Sequence, residues 1–326
     1  MIEGRTSIQR FIRGLLAYAL LLLAATGCIG ADRNASSPKA TDSVSSADAP
    51  VSDRTFGIIY PMTYTTYETI TQDAKEAAES RNVTLLVSAP DEANTEQQIR
   101  IMESMIKLDV DGIAISPVNS DALAPVIRKA VSKGIPVITF ESDAPGSGRT
   151  AYIGADNNAT GRQIAITIGQ LLGNKGMIIV ETGMQEMLGL HQRLEALLEY
   201  LNEESSIEVL EVRYNQGNEE RAMKDIETMI GEHPHFSAMI SLDAVSASAG
   251  TLIWKAKGLN RIFLSMGNNP ASIEALENGQ LTAIVSQNEQ NWGRSIVDTL
   301  IKVSDGRQLP GFIDTGIREI KQADVR

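Results

Sequence analysis

The sequence predicts an α/β protein made of two halves, each a parallel β-sheet flanked by helices. Short β-branched apolar runs alternate with helical patterns from residue 56 onward. Those runs are continuous rather than alternating in polarity, as expected of strands buried on both faces. The whole rhythm then occurs a second time further along the chain.

In the first half the predicted strands are 56–60, 83–87, 112–115 and 136–140, separated by helices at 66–81, 95–108 and 123–133. The run Phe56-Gly-Ile-Ile-Tyr60 has the composition of a buried strand. The third helix ends in Lys133-Gly134 with Pro136 behind it, a basic last turn, a glycine stop and a residue that cannot continue a helix. The second half begins with a helix at 159–172 stopped by Gly173. Helices at 187–201, 219–230, 246–257 and 271–277 then alternate with strands at 177–180, 207–212, 238–241, 262–264 and 281–285. In open α/β sheets, ligands bind outside the carboxyl ends of the strands.

The 326 residues ahead of and within these halves carry 29 Lys and Arg against 41 Asp and Glu, a formal charge of −12. Such a surface repels phosphate backbones, so nucleic-acid binding is excluded. One cysteine and three histidines remove disulfide frameworks and most metal sites. Aromatic residues make up only 5%, so any aromatic beside a polar cleft is informative.

Arg5, Arg10 and Arg13 precede an apolar run at 15–25 that is too short for the roughly twenty residues a bilayer span needs. It has the form of a signal-peptide core. The run ends in Ala25-Thr26-Gly27-Cys28, which resembles the lipobox of bacterial lipoproteins. That resemblance implies that residues 1–27 are removed and Cys28 is acylated. A secretory signal with an incidental cysteine is the alternative. Residues 1–27 hold three basic side chains and one acidic, so the remainder has a formal charge of −14. An acidic body gains nothing from anionic lipid, and the lipid chain must supply the attachment. Residues 28–54 are rich in Ser, Ala and Asp with no aromatic residue. They read as a disordered tether, with an ordered arm as the alternative.

The loops after the first-half strands carry Tyr64, Tyr67, Glu68, Ser116, Asn119 and Glu141. Those of the second half carry Arg193, Asp243, Asn268 and Gln287. Hydroxyl, carboxylate, amide, guanidinium and aromatic groups together suit a neutral sugar or polyol, whose hydroxyls need both donors and acceptors and whose C–H faces stack on rings. Asn119 and Asp243 could equally begin the helices that follow them.

Four segments resemble the ribose/galactose type of periplasmic substrate-binding protein over residues 55–318. They are Ser116-Pro-Val-Asn-Ser-Asp121, Gly134-Ile-Pro-Val-Ile-Thr-Phe140, Tyr152-Ile-Gly-Ala-Asp-Asn157 with Gly161, and Arg193 within Gln192-Arg-Leu-Glu195. The resemblance implies two Rossmann-like lobes with parallel sheets, joined by a three-stranded hinge: the type I periplasmic binding protein architecture. Its lobes would be 55–154 plus 288–306, and 155–287 plus 307–326, with crossings near Gly154, Gln287 and Gly306 to Gly311. It implies a monomeric receptor without cofactor that feeds a sugar to an ATP-binding-cassette (ABC) permease. Arg193 falls on the family's ligand arginine, Gln287 on its hinge-side glutamine, Glu141 on a ligand aspartate and Ser116 on an asparagine. The turn Thr65-Thr-Tyr-Glu68, the pair Leu242-Asp243 and Gly267-Asn-Asn269 depart from the family pattern and leave the particular sugar open.

Enzymatic readings have less support. Glu141 with Asp143, or Glu68 with Asp243, could form a glycosidase pair only at a separation of about 5 to 10 Å. Gly146-Ser-Gly148 has no following Lys-Ser/Thr, so it is no phosphate loop. His233-Pro-His235 reads as a turn rather than a metal site. Repressors that share the clamp fold carry a helix-turn-helix where this chain has a signal and a tether. A receptor presenting its sugar to a membrane sensor kinase is the closer alternative.

Overall fold

The computed structural model describes residues 54–325. The signal segment, the lipidation residue Cys28 and the tether up to residue 53 lie outside the described residues. In chain order the first half comprises β1 (Arg54–Ile59), α1 (Thr65–Glu79), β2 (Val83–Ser88), α2 (Thr95–Lys107), β3 (Gly112–Ile115), α3 (Ser120–Ser132), β4 (Val137–Phe140) and β5 (Ala151–Gly154). The second comprises α4 (Asn157–Leu172), β6 (Lys175–Thr182), α5 (Leu188–Glu204), β7 (Ser206–Tyr214), α6 (Glu219–Glu232), β8 (Ala238–Ser241), α7 (Ala244–Lys257), β9 (Ile262–Met266), α8 (Pro270–Glu277) and β10 (Ala283–Ser286). The chain closes with α9 (Trp292–Ser304), β11 (Phe312–Asp314) and β12 (Arg318–Lys321).

Two six-stranded sheets form, in the orders β11-β5-β4-β3-β1-β2 and β12-β10-β9-β8-β6-β7. Every pairing is parallel except β10 with β12. The central strands β3, β4, β8 and β10 are buried at every residue, which is why their sequences are almost wholly apolar, broken only by the small hydroxyls of Thr139, Ser241 and Ser286. Each sheet with its helices is one lobe. Among the described residues no helix is long and apolar enough to cross a membrane.

Side-chain caps set helix starts that apolar periodicity alone places too late. Asn119 accepts from Ala122 N at 3.0 Å and starts α3 at Ser120, while Asp243 accepts from Val245 N at 2.9 Å and starts α7 at Ala244. Arg54, assigned from the sequence to the tether, begins β1 and is anchored by bonds to Ser304 Oγ at 3.2 Å and Asp305 Oδ1 at 2.6 Å.

Four elements, β5, α9, β11 and β12, have no counterpart among the elements read from the sequence. Helix α9 returns from the second half and lays Ile296, Val297, Leu300 and Val303 on the core of the first sheet. The tail divides between lobes: β11 pairs with β5 in the first sheet and β12 with β10 in the second. Residues 307–314 therefore do not belong to the second lobe as the sequence reading had them. The third crossing falls between Asp314 and Arg318, beyond Gly306 to Gly311, because a parallel pairing with β5 satisfies the edge before the chain leaves. The other crossings lie between β5 and α4, and between β10 and α9. They are laced together: Thr315 N donates to Gly154 O at 2.9 Å, and Asn288 Nδ2 donates to Thr315 O at 2.7 Å.

Candidate functional site

The pocket between the lobes is lined by residues that follow β1, β4, β6, β7, β8, β9 and β10, so seven strand ends converge on one space. It holds about 680 Å³ between its lining atoms, part of it open to solvent. The lobes touch around it. Asn119 Nδ2 donates to Glu186 Oε2 at 2.9 Å, Gly189 N donates to Ser142 Oγ at 3.1 Å, and Val118 packs with Met184, Met187 and Leu190.

Polar groups gather at the crossing end. Glu141, the residue after β4, has a φ of 63°, left-handed backbone that a non-glycine residue adopts only when its surroundings enforce it. Its carboxylate accepts from Ser116 Oγ at 2.8 Å and from Tyr67 OH at 3.1 Å. Burial pushes this carboxyl above its ordinary range, and the two hydroxyls and Arg193 pull it part of the way back. Tyr67 stacks on Tyr60 at 4.7 Å between ring centroids, and Tyr60 meets Phe140 edge-on at 5.6 Å. Phe140 in turn meets Trp292 at 6.5 Å, linking α1 to α9 across the strand ends.

Arg193 is buried on α5, and burial lowers its pKa. It donates Nη1 to Leu242 O and Nη2 to Asn157 Oδ1 at 2.8 Å, while Nε has no protein partner. Among the described residues it forms no ion pair, so Glu141 and Arg193 both line the pocket without closing on each other. Gln287 donates Nε2 to Asn157 Oδ1 at 3.0 Å and to Thr160 Oγ1 at 2.9 Å. Asn157 is thus the hub, and its Nδ2 donates to Tyr152 OH at 3.2 Å. Close helix packing brings the hub to Arg193: a Cβ on Gly161 would lie 2.2 Å from Arg193 O.

Asp243 also lines the pocket, but its carboxylate is saturated by Val245 N, Ser246 N, Ser246 Oγ and Asn215 Nδ2. Burial nevertheless raises its pKa. Tyr64 reaches across the mouth to Ala244 O at 3.5 Å, and burial pushes its hydroxyl up to about 12. The remaining wall is largely apolar, with Met62, Met184, Met187, Leu190, Met266 and Trp292, and adds the polar Thr66 and Glu289.

Of the residues singled out from the sequence, Tyr64, Tyr67, Glu141, Arg193, Asp243 and Gln287 share this pocket, and Ser116 supports Glu141 from behind. Three stand outside its lining. Glu68 is exposed because it follows Tyr67 on α1 and the helix turn carries it to the solvent side. Asn119 caps α3 and lies at the rim, and Asn268 is half-buried beyond Gly267, which takes the lining position. Asn157, Trp292, Met187 and Met266 were not singled out from the sequence, although Asn157 ends one of the motifs quoted above. Asp143 is committed to Thr139 Oγ1 at 2.7 Å and to Arg149. His233 accompanies Glu211 at 2.9 Å and Glu232, but Arg213 already donates to both carboxylates and supplies the positive charge there.

Residues 56–308 match the family model described as periplasmic binding protein domain. The chain is 23% identical over 237 residues to the D-ribose/D-allose-binding protein of Pseudomonas aeruginosa, covering 70% of this chain and 74% of that one. A solute-binding protein of an ABC transporter from Burkholderia graminis, solved with D-arabinose, superposes with a TM-score of 0.79 at 26% identity, covering 83% of this chain and 96% of that one. The XylFII–LytSN complex superposes with a TM-score of 0.78 at 20% identity, covering 84% and 99%, a likeness of fold. With residues 56–308 matching its family model, two mostly parallel sheets, three crossings and a pocket at their strand ends, the chain belongs to the periplasmic binding protein family, in its type I form.

Proposed function

We propose that this protein is an extracytoplasmic solute-binding lipoprotein that captures a sugar or polyol between its lobes and delivers it to an ABC transporter. One observation carries the reading: Glu141, Arg193 and Gln287 face one pocket from both lobes and from a crossing, two of them on a single asparagine hub. A ligand bonded to this cluster ties the lobes together, so binding favours the closed arrangement by its differential contacts. The sugar-binding relatives support the ligand class. The reactive groups near the pocket are paired with protein neighbours, which suits capture rather than catalysis. Cys28 would hold the acidic body at the membrane through its lipid.

A thermal-shift panel of pentoses, hexoses, polyols and amino sugars tests this. Ligand at a hundred times its dissociation constant stabilises by about 2.7 kcal/mol, so one class should raise the melting temperature. A shift with a peptide or nucleoside and with no sugar would overturn the ligand class.

The fold match to the XylFII–LytSN complex supports a second reading, a receptor that presents its bound sugar to a membrane sensor kinase. Both partners would read closed lobes. Permease and ATPase genes beside this one favour uptake, and a two-component pair alone favours sensing.

A further inference from the structure

Beside the pocket described above, the lobes border a second space of about 810 Å³, part of it open to solvent. Tyr64, Thr66 and Ala244 line both, so the inner pocket and this outer chamber lie on either side of the same residues. A further space, beside Asn119 and Glu186, shares no lining residue with the pocket. The partition between pocket and chamber is thin. The Tyr64 hydroxyl and Ala244 O, from opposite lobes, stand 3.5 Å apart, at the outer limit of a hydrogen bond.

The chamber is amphipathic. Ala247, Leu252, Pro270 and Ala271 give it C–H surface, and Tyr64 adds an aromatic side chain. Thr65, Thr66 and Thr69 line it from the first lobe, and Ser248, Thr251 and Asn269 from the second. Ser248 Oγ is committed to Glu219 at 3.1 Å and Thr251 Oγ1 to Ala247 O at 2.8 Å. Asn269 Oδ1 caps α8 on Ser272 N at 2.9 Å, which leaves its amide Nδ2 to donate elsewhere. Among the described residues the lining holds no charged side chain, so a phosphate or uronate group would find no partner there. A neutral sugar ring suits it, with C–H faces against the alanines and Tyr64 and hydroxyls toward the threonines and Asn269.

Resting on the sugar-binding reading above, we infer that the ligand is a neutral disaccharide. One ring is held by Glu141, Arg193 and Gln287 in the inner pocket, and the other occupies the outer chamber. The glycosidic bond sits at the gap between Tyr64 and Ala244, which opens by a turn of one half-buried side chain.

Calorimetric titration tests this with D-glucose, D-galactose and D-xylose against maltose, cellobiose, lactose, melibiose and xylobiose. At least one disaccharide should bind about tenfold more tightly than either of its component sugars, the gain of one ring contact with one net hydrogen bond. Component sugars binding as tightly as every disaccharide that contains them would overturn the inference while leaving the sugar-binding reading intact. No binding by any of these sugars would overturn both. Thr69→Trp on α1, and separately Ala271→Trp on α8, fill the chamber from opposite lobes at exposed positions and should cut the disaccharide's advantage to about twofold or less. An advantage unchanged in both variants would overturn the outer chamber as the place of the second ring.

Discussion

Gln287 donates its Nε2 to Asn157 Oδ1 at 3.0 Å, so a side chain at the second crossing is held by one at the first. The same oxygen accepts from Arg193, which fixes the pocket's guanidinium to both crossings at once. The placement of the pocket's guanidinium relative to both crossings thereby rests on one small amide.

Asn157→Ala should cost both stability and affinity. It strips partners from two buried donors, a loss of about 2 kcal/mol, which lowers the melting temperature by roughly 4–8 °C in scanning calorimetry. Because Arg193 loses an anchor, ligand affinity should fall in the same variant.

Arg193→Ala should lower the ligand-free melting temperature as well as abolish binding. Leu242 O loses its donor and Asn157 Oδ1 keeps only Gln287, at about 2 kcal/mol. Arg193→Lys keeps the charge but not the fork, so its ligand-free stability should lie between the two while affinity drops more than tenfold. Chemical denaturation of both variants separates the contributions.

Gly161→Ala and Gly231→Ala should act with opposite sign. A Cβ at 161 would meet Arg193 O at 2.2 Å and force α4 from α5, at about 1–3 kcal/mol. A Cβ at 231, in α6, meets nothing within 4 Å and should stabilise by about 0.5–1 kcal/mol through helix propensity. Denaturant midpoints report both.

Stability should decline as pH rises from about 5 to about 9, with Glu181 the main cause. This carboxyl on β6 is fully buried, and burial, with Asp243 and Asp225 nearby, pushes its pKa up to about 9. The folded state therefore holds a proton that the unfolded state releases from about pH 4.5 upward, and the penalty grows until the folded carboxyl also ionises near pH 9. Glu181→Gln should flatten the profile and stabilise the protein at pH 8; an unchanged slope in urea titrations would clear Glu181.

Cys28→Ser should move the protein from the membrane fraction to the soluble extracytoplasmic fraction on cell fractionation. Retention in the membrane would remove the lipid anchor from the proposal.

Legibility in the sequence followed locality. Strands such as β3 and β4 announce themselves because a strand buried on both faces is mostly β-branched and apolar, and helices stopped at Gly134 or Gly173 carry their own punctuation. The tail strands β11 and β12 are only three and four residues long and mostly exposed, so no periodicity marks them, and only pairing with β5 and β10 makes them strands. Glu68 and Asn268 are polar loop residues like those that do line the pocket; helix phase and the turn at Gly267 decide against them.

By itself the sequence determined an acidic chain of two parallel-sheet halves, an N-terminal segment resembling a lipoprotein signal, and a set of strand-end residues from which Glu141, Arg193 and Gln287 were drawn. Those are properties of neighbouring residues and their spacing. Only the tertiary structure decided that Asn157 joins Arg193 to Gln287 and that methionines from separate loops line the same pocket. It alone decided that α9 returns to the first sheet and that the tail serves both lobes. Each of these depends on which distant segments share a space, and that is fixed by burying the whole chain's apolar surface at once rather than by any local pattern.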